Sequence, residues 1–213
     1  MVKLIIDDKE IETEEGTMLL QASLDNGIYI PNLCYLKDRD DHPTSCRLCF
    51  VEVNGNDKPV TSCNLEVRDG MKVKTNTPQV RHLQKTAFEL LLSAHMIDCR
   101  NCPSNKKCDL QKIAKFLHTP LKQKRIKFLE RNIKIEEDHP FLRYDPNKCI
   151  LCGKCIFICS KKHKRPFLAY AKRGLNTYIS FFGENDPAQI PCDECYECID
   201  ICSVSALSKK TSP

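Results

Sequence analysis

The sequence predicts an α+β protein of small modules, the first of which is a β-grasp-like unit. Three features indicate this architecture. Short β-branched runs occupy the N-terminal third, the apolar period becomes that of a helix from Thr77 onward, and a four-cysteine motif occurs twice near the C-terminal end. A chain of 213 residues is long enough for two or three small domains. Because small domains bury little apolar surface, each one needs an additional internal link to be stable.

The N-terminal unit is predicted to begin with a β-hairpin. Val2 to Ile6 is a β-branched run, and Glu10 to Thr13 can form the second strand. Thr17 can cap a helix over Met18 to Asp25, because a threonine hydroxyl satisfies an unpaired N–H of the first turn. Further strands are predicted at Val51 to Val53, Val60 to Thr61 and Met71 to Val73.

A long helix is predicted to follow, with Thr77 as its N-cap and Pro78 at the first helical position. The helix is expected to end near His95, after which a cysteine-containing loop begins. Apolar residues recur at helical spacing and predict one buried face: Val80, Leu83, Ala87, Leu90, Leu91 and Ala94.

The rest of the chain is predicted to contain one more helix and an inserted hairpin. The helix covers Asp109 to Leu117, and Thr119 to Asp138 is either a connecting segment or an exposed strand. Leu168 to Phe182 is rich in aromatic and β-branched residues, with a turn at Arg173-Gly174, and this pattern is typical of a hairpin.

Fifteen cysteines are far more than a chain with 41% hydrophobic and 29% charged residues needs for packing. The sequence has no apolar run of the roughly 18 residues that a membrane span requires, and its N-terminus does not resemble a secretion signal. We therefore expect a cytoplasmic protein without direct membrane insertion, in a compartment that keeps thiols reduced. An odd number of cysteines also disfavours a disulfide framework, so the pattern indicates metal ligands.

The most specific motif is Cys-x2-Cys-x2-Cys-x3-Cys, which occurs twice. Both copies resemble the cysteine run of bacterial ferredoxins with two [4Fe-4S] clusters, although Ser160 and Ser203 replace the proline that commonly follows the last cysteine. In that family the fourth cysteine of each run binds the other cluster. The resemblance implies two ligand sets: Cys149, Cys152, Cys155 with Cys202, and Cys192, Cys195, Cys198 with Cys159. Structural zinc is the alternative, but zinc sites usually pair two Cys-x2-Cys knuckles rather than overlapping triplets.

A second group of four cysteines lies in the N-terminal module: Cys34, Cys46, Cys49 and Cys63. Four thiolates are the ligand set of a [2Fe-2S] cluster, although the gaps differ from those of plant ferredoxins. The pattern resembles the N-terminal ferredoxin-like domain of the large iron-sulfur subunit of NADH:quinone oxidoreductases and of iron-only hydrogenases. A structural zinc site is again the alternative.

Three cysteines remain, one ligand short of a [4Fe-4S] site: Cys99, Cys102 and Cys108. His95 stands shortly before them, at the end of the predicted helix. A lone histidine there is commonly a capping or surface residue, but the two families just named have the same pattern of one histidine and three cysteines. The resemblance implies that His95 is the fourth ligand, and a neutral imidazole should raise the potential of this cluster. The other histidines are predicted to be solvated: His42, His82, His118, His139 and His163.

From Met1 to about Leu207, the order of the motifs resembles the N-terminal region of iron-only hydrogenases and the free-standing small diaphorase subunit of soluble NAD(P)-linked hydrogenases. The resemblance implies three domains. Residues 1–77 form a β-grasp [2Fe-2S] ferredoxin-like domain, residues 78–138 a small helical domain with the histidine-ligated [4Fe-4S] cluster and a connector, and residues 139–213 a bacterial-type ferredoxin domain with two [4Fe-4S] clusters.

The same resemblance implies an electron-relay subunit in a hetero-oligomer. Its partners would be a flavin subunit that binds NAD(P)H and a hydrogenase or other redox subunit. The complex is expected to be an NAD(P)-linked hydrogenase, a class that includes electron-bifurcating enzymes, and the alternatives are a formate dehydrogenase and an NADH dehydrogenase. No catalytic residue is expected on this chain, since its seven glycines form neither a Rossmann fingerprint nor a P-loop.

The formal charge of +5 and the basic stretches Lys122 to Lys134 and Lys161 to Arg165 leave a zinc-binding nucleic-acid module as a rival prediction. Bound clusters change that balance, because each of three all-thiolate clusters carries about −2 and the histidine-ligated one about −1. Together they contribute about −7, so the net charge of the loaded protein would be about −2. We therefore expect no nucleic-acid binding. A freely diffusing ferredoxin is a further rival, but such a carrier ordinarily has an acidic surface.

Overall fold

The computed structural model describes residues 1–164, 167–181, 192 and 194–210. The chain divides into two compact units, Met1–Glu89 and Leu90–Pro213. Arg165 of the second basic stretch, Phe182 at the end of the predicted hairpin and Gly183 lie outside the described residues. The finer division into three domains stays a prediction.

The first unit is built on a mixed sheet. Strands β1 (Val2–Ile6) and β2 (Lys9–Thr13) form the predicted antiparallel hairpin. Three further strands complete the sheet: β3 (Phe50–Val53), β4 (Val60–Thr61) and β5 (Lys72–Lys74). Their order is β2-β1-β5-β3-β4, with β1 and β5 parallel. This topology agrees with the predicted β-grasp-like unit.

Alternation along β1 explains why this sheet has one buried face. Val2, Leu4 and Ile6 are buried while the residues between them are exposed, which is the period of two expected for a half-buried strand. These side chains share one core with Leu19 and Leu20 of helix α1 (Leu19–Asp25). Full burial of each such aliphatic side chain contributes about 1.5–3 kcal/mol.

The prediction that Thr17 caps the first helix is wrong. The helix begins at Leu19 with Met18 as N-cap residue, and no side chain caps it. Met18 instead forms an antiparallel bridge with Glu66, and the Thr17 carbonyl accepts a 2.9 Å hydrogen bond from the amide of Val67. The chain before the helix is therefore held by strand-like pairing with a segment distant in sequence, which a local capping rule cannot include.

Helix α2 (Pro78–Ser93) begins where predicted, since the amide of Val80 donates a 3.2 Å hydrogen bond to the Thr77 hydroxyl. Its buried face differs from the prediction. Leu90 is 55% exposed, whereas Phe88 and Leu92 are buried. The buried stripe advances in four-residue steps and includes Gln84, whose amide Nε2 donates to the carbonyl of Phe50 at 3.0 Å. A pattern based on apolar residues alone missed this stripe, because one of its positions is a hydrogen-bonded glutamine.

The second unit contains the predicted helix α3 (Asp109–Leu117), which buries Leu110, Ile113 and Leu117. Residues 119–138 form neither a helix nor a strand beyond a single bridge at Glu136, so the connecting-segment alternative is the one observed. The other elements of this unit are β6 (Leu142–Tyr144), α4 (Lys154–His163), β7 (Leu168–Ala171), β8 (Tyr178–Phe181), α5 (Glu197–Asp200) and β9 (Leu207–Lys209).

Two short antiparallel pairs organise this unit. Strands β7 and β8 form the predicted inserted hairpin. Strands β6 and β9, for which the sequence has no recognisable strand pattern, pair from Leu142 with Lys209 to Tyr144 with Leu207. Since β6 precedes the first four-cysteine motif and β9 follows the second, this pairing closes the two motifs into one compact unit.

Candidate metal centres

All fifteen cysteines lie within the described residues, and the structure shows no disulfide among them. Nor do any three histidine, cysteine, aspartate or glutamate side chains of the described residues converge closely enough to hold one metal ion. The sulfurs form close pairs in the N-terminal site and line three separate cavities in the second unit.

The N-terminal site contains two close pairs of buried sulfurs. The Sγ atoms of Cys34 and Cys46 lie 3.4 Å apart, and the thiols of Cys49 and Cys63 are also hydrogen-bonded to each other. Cys46 and Cys49 come from the loop before β3, while Cys63 lies in a 3-10 turn directly after β4. Both the amide and the hydroxyl of Ser62 donate to the carbonyl of Cys49, which ties the two loops together.

In each pair, hydrogen bonding favours the thiolate form of one cysteine. The hydrogen bond with Cys46 lowers the pKa of Cys34 to about 5, and the hydrogen bond with Cys63 lowers the pKa of Cys49. Each pair therefore favours a thiolate next to a neutral thiol in the absence of metal. Two adjacent iron ions, each binding two thiolates, fit this division into pairs.

His42 lies in the loop of the N-terminal site, and the prediction that it is solvated is wrong. Its Nδ1 is buried without a hydrogen-bond partner in the described structure, and its ring centroid lies 4.5 Å from that of Tyr35. Burial also lowers its pKa. His42 is therefore a half-buried residue packed against Tyr35 rather than a solvated side chain.

The histidine of the third motif is buried and oriented. Nδ1 of His95 lies 2.7 Å from the carbonyl oxygen of Lys148. Burial lowers the pKa of this imidazole, so the neutral form is favoured. A carbonyl oxygen can only accept, and the single ring proton must therefore be on Nδ1. Nε2 keeps its lone pair, which is the state required of a metal-binding histidine.

A single cavity brings the third group together. It is lined by His95, Cys99, Cys102 and Cys108, along with Gln111 and Val204. Helix α2 delivers His95 at its C-terminal end, and Cys108 is the N-cap residue of α3. The two helices thus place the first and last member of the motif.

Among the described residues, the two copies of the four-cysteine motif share two backbone features. The residue two positions after the first cysteine is left-handed in both copies, Leu151 with φ of 56° and Glu194 with φ of 56°. A second left-handed residue, Gly153 in one copy and Tyr196 in the other, immediately precedes a helix. The left-handed conformation is unfavourable for residues other than glycine. Its recurrence at equivalent positions therefore indicates that both loops fold around the same kind of bound group.

Two further cavities collect the cysteines of the repeat. Cys202 lines one cavity with Cys149, Cys152 and Cys155. Cys159 lines the other with Cys192, Cys195 and Cys198. Each cavity thus contains three cysteines of one copy and the last cysteine of the other copy, as in the sets that the ferredoxin resemblance implies, and their role as ligands stays a prediction. Burial raises the pKa of Cys152 and of Cys198 to about 12, so these thiols require cationic partners to ionise.

Two more histidines predicted to be solvated are not. His139 is 1% exposed, and its Nδ1 accepts hydrogen bonds from the amides of Phe141 and Leu142 at 3.2 Å. Burial lowers its pKa to about 4. His163 is half-buried, with Nε2 3.9 Å from Sγ of Cys195. No local signal distinguished either histidine, because long-range packing buries them; His82 and His118 are exposed as predicted.

Comparison with known sequence families supports an iron-sulfur protein. Residues 1–78 match the family described as a 2Fe-2S iron-sulfur cluster binding domain. Residues 84–119 match the NADH-ubiquinone oxidoreductase-G iron-sulfur binding region. The mixed α+β chain therefore has an N-terminal [2Fe-2S] ferredoxin domain followed by a [4Fe-4S] region, which confirms the fold prediction at this level. No helix in the described part of the chain is long and apolar enough to cross a membrane.

Several known proteins are similar over nearly the whole chain. The gamma subunit of the NAD-reducing hydrogenase HoxS of Cupriavidus necator is 31% identical over 210 residues, covering 98% of this chain and 87% of the relative. The alpha subunit of the NADPH-Fe(3+) oxidoreductase of Geobacter sulfurreducens is 37% identical, but this chain spans only 24% of its length. A crystal structure of NAD+-reducing [NiFe]-hydrogenase in the H2-reduced state superposes with a TM-score of 0.87 at 28% identity, covering 100% of this chain and 90% of the other.

Proposed function

Because this chain belongs to the family that includes the gamma chain of the NAD-reducing hydrogenase HoxS, we propose that it is the iron-sulfur electron-relay subunit of a multi-subunit NAD(P)-linked hydrogenase. Its proposed partners are a flavin subunit that binds NAD(P)H and a hydrogenase subunit. One observation carries this proposal: fifteen cysteines and His95 fall into four separate groups, with no cysteine left over. When bound, iron-sulfur clusters accept and release single electrons. A cytoplasmic location stays a prediction.

The N-terminal group is proposed to hold the [2Fe-2S] cluster. Its division into the pairs Cys34 with Cys46 and Cys49 with Cys63 supports two adjacent irons. All four side chains are at most 4% exposed. The β-grasp core therefore excludes water from the ligands, which is one of the means by which a protein tunes a cluster potential.

The second group is proposed to hold a [4Fe-4S] cluster through Cys99, Cys102, Cys108 and Nε2 of His95. The fixed tautomer of His95 supports this assignment, because the hydrogen bond to Lys148 both orients the ring and leaves Nε2 unprotonated. The imidazole replaces one negative thiolate, so the site carries less negative charge than an all-cysteine site.

The repeat is proposed to form a two-[4Fe-4S] ferredoxin domain over residues 139–213, and residues 78–138 to form the histidine-containing domain with its connector. The sets are those of the two cavities: Cys149, Cys152, Cys155 with Cys202, and Cys192, Cys195, Cys198 with Cys159. Apolar side chains from the hairpin complete the lining, Ile179 in the first cavity and Phe181 in the second. They keep water away from the sulfurs.

The three cavities of the second unit are adjacent, which supports a relay. Val204 lines both the His95 cavity and the cavity of Cys149. Helix α4 presents Cys155 to that second cavity and Cys159 to the third. Four residues of helix rise about 6 Å, so neighbouring ligand groups are one turn apart. The role of the protein is then to hold redox groups in series at short separation.

An oxidoreductase without a hydrogenase is the second candidate. The Geobacter sulfurreducens relative is named for Fe(3+) reduction, and the family matched by residues 84–119 is named for an NADH-ubiquinone oxidoreductase. Partners that co-elute during anaerobic purification separate the candidates. A hydrogenase subunit, together with cluster reduction by H2, supports the first proposal, and recovery of only NADH dehydrogenase or formate dehydrogenase subunits supports the second.

Iron and acid-labile sulfide analysis of the anaerobically purified chain tests the cluster content. We expect about 14 iron atoms and as many sulfides, from one two-iron and three four-iron clusters. Cys63→Ala should remove about two irons and Cys152→Ala about four, so each variant serves as the control for the other. Stoichiometric zinc with no sulfide would overturn the proposal and favour the zinc-binding rival.

A further inference from the structure

Tyr144 is a fully buried hydroxyl-bearing residue next to one of the proposed cluster sites. It ends strand β6, is 1% exposed and lines the same cavity as Cys149. The amide of Ile179 on the inserted hairpin donates a 3.0 Å hydrogen bond to its hydroxyl oxygen. The hydroxyl is also hydrogen-bonded to Sγ of Cys149.

The direction of these bonds follows from the donors present. The Ile179 amide can only donate, so the phenol oxygen accepts there and its own proton is directed to the second partner. A thiolate sulfur has no proton and can only accept. Sγ of Cys149 therefore receives the Tyr144 O–H and, at 3.4 Å, the amide N–H of Leu151.

We propose that Tyr144 is a positioning residue that raises the reduction potential of the cluster held by Cys149 through its O–H···S hydrogen bond, an inference that rests on the proposed function. Reduction adds negative charge that is shared by the ligand sulfurs. A donor aimed at a sulfur stabilises the more negative, reduced state, and burial strengthens the effect because water does not screen it.

The proposal distinguishes the two copies of the repeat. Tyr144 stands five positions before the first cysteine of its copy, whereas Pro187 stands at that position before Cys192. Proline has no hydroxyl to donate. The sequence therefore does not repeat this hydroxyl in the second copy, which gives the chain a means of separating the potentials of the two proposed clusters.

The test compares Tyr144→Phe with Tyr170→Phe in the full chain, purified anaerobically. Both changes remove only a hydroxyl, but that of Tyr170 donates to the backbone carbonyl of Leu151 at 3.0 Å instead of to a sulfur. EPR-monitored redox titration follows the [4Fe-4S] signal that Cys152→Ala abolishes. Loss of a hydrogen bond to a charged group changes the equilibrium constant of a one-electron reduction roughly tenfold. This change corresponds to a shift of about 59 mV in the midpoint potential. We expect the midpoint to fall by this amount in Tyr144→Phe and to stay unchanged in Tyr170→Phe.

Two further measurements keep the test decisive. Tyr144→3-fluorotyrosine makes the phenol a stronger donor without changing its shape, and we expect it to raise the same midpoint even if Tyr144→Phe assembles poorly. In resonance Raman spectra, the shift of the iron-to-cysteine stretching bands in D2O should decrease in Tyr144→Phe. A variant with full iron content and an unchanged midpoint would overturn the role of Tyr144, whereas a wild-type chain without iron would instead overturn the proposed function.

Discussion

Nδ1 of His95 lies 2.7 Å from the backbone carbonyl oxygen of Lys148, the residue directly before Cys149. This hydrogen bond joins the end of the α2 segment to the start of the four-cysteine repeat. It also decides which nitrogen is available for metal, because the proton held at Nδ1 leaves Nε2 with its lone pair.

Substitution of His95 should alter one cluster selectively. We expect His95→Ala to lose up to about four irons, and His95→Cys to keep all of them with a lower midpoint, since a thiolate adds negative charge to the cluster. Iron content and EPR redox titration measure both effects. His82→Ala, on the exposed face of α2, is the control. Unchanged spectra and iron content in both His95 variants would remove this residue from the ligand set.

Arg131 should protect the clusters of the repeat by holding the inserted hairpin. Its guanidinium donates to the carbonyls of Leu175 at 3.1 Å, of Pro146 at 3.0 Å and of Thr177. Arg131→Ala removes all three bonds, so the hairpin should open more often and expose the cavities. We expect chelator-induced bleaching to accelerate several-fold, because exchange from a transiently opened state follows its population.

Arg173→Ala is the matched control for this experiment, since Arg173 lies on the same hairpin and is exposed. Equal bleaching rates in Arg131→Ala and the wild type would show that the hairpin is held by its other contacts.

The buried face of α2 can be tested by stability. Phe88 is fully buried and Leu90 is 55% exposed. Phe88→Ala should lower the free energy of unfolding by about 3–5 kcal/mol through lost burial and the cavity left behind. Leu90→Ala should change it by no more than about 0.5 kcal/mol. Urea unfolding of the anaerobic protein, followed by circular dichroism, measures both, and a larger loss in Leu90→Ala would support the face predicted from the apolar pattern.

Much of the fold follows from local patterns. The N-terminal hairpin, the hydroxyl cap at Thr77 and helix α3 are where the sequence predicts them. Each depends on neighbouring residues: alternation in a strand, a hydroxyl three positions before an amide, or an apolar stripe along one helix. Local rules describe these features well because the residues that define each of them are neighbours in the sequence.

The errors share a different cause. Thr17 is paired with Val67 rather than capping a helix, Gln84 occupies a buried stripe through a bond to Phe50, and His139 is buried against Phe181, with ring centroids 4.6 Å apart. In each case a partner far along the chain determines the environment. Burial depends on which segments meet, and single-sequence periodicity does not contain that information.

The sequence by itself determined which residues are candidate ligands, because gaps of two residues within each Cys-x2-Cys run keep those sulfurs close together. The longer gap between Cys34 and Cys46, and the exchange of Cys159 and Cys202 between the two copies, depend on the fold. Only the tertiary structure decided the surroundings of those sulfurs. The tautomer of His95, the hydroxyl that Tyr144 aims at Cys149 and the hairpin held by Arg131 all require contacts between distant segments. Those contacts set charge, hydrogen bonding and water access, which are the terms that control a cluster potential.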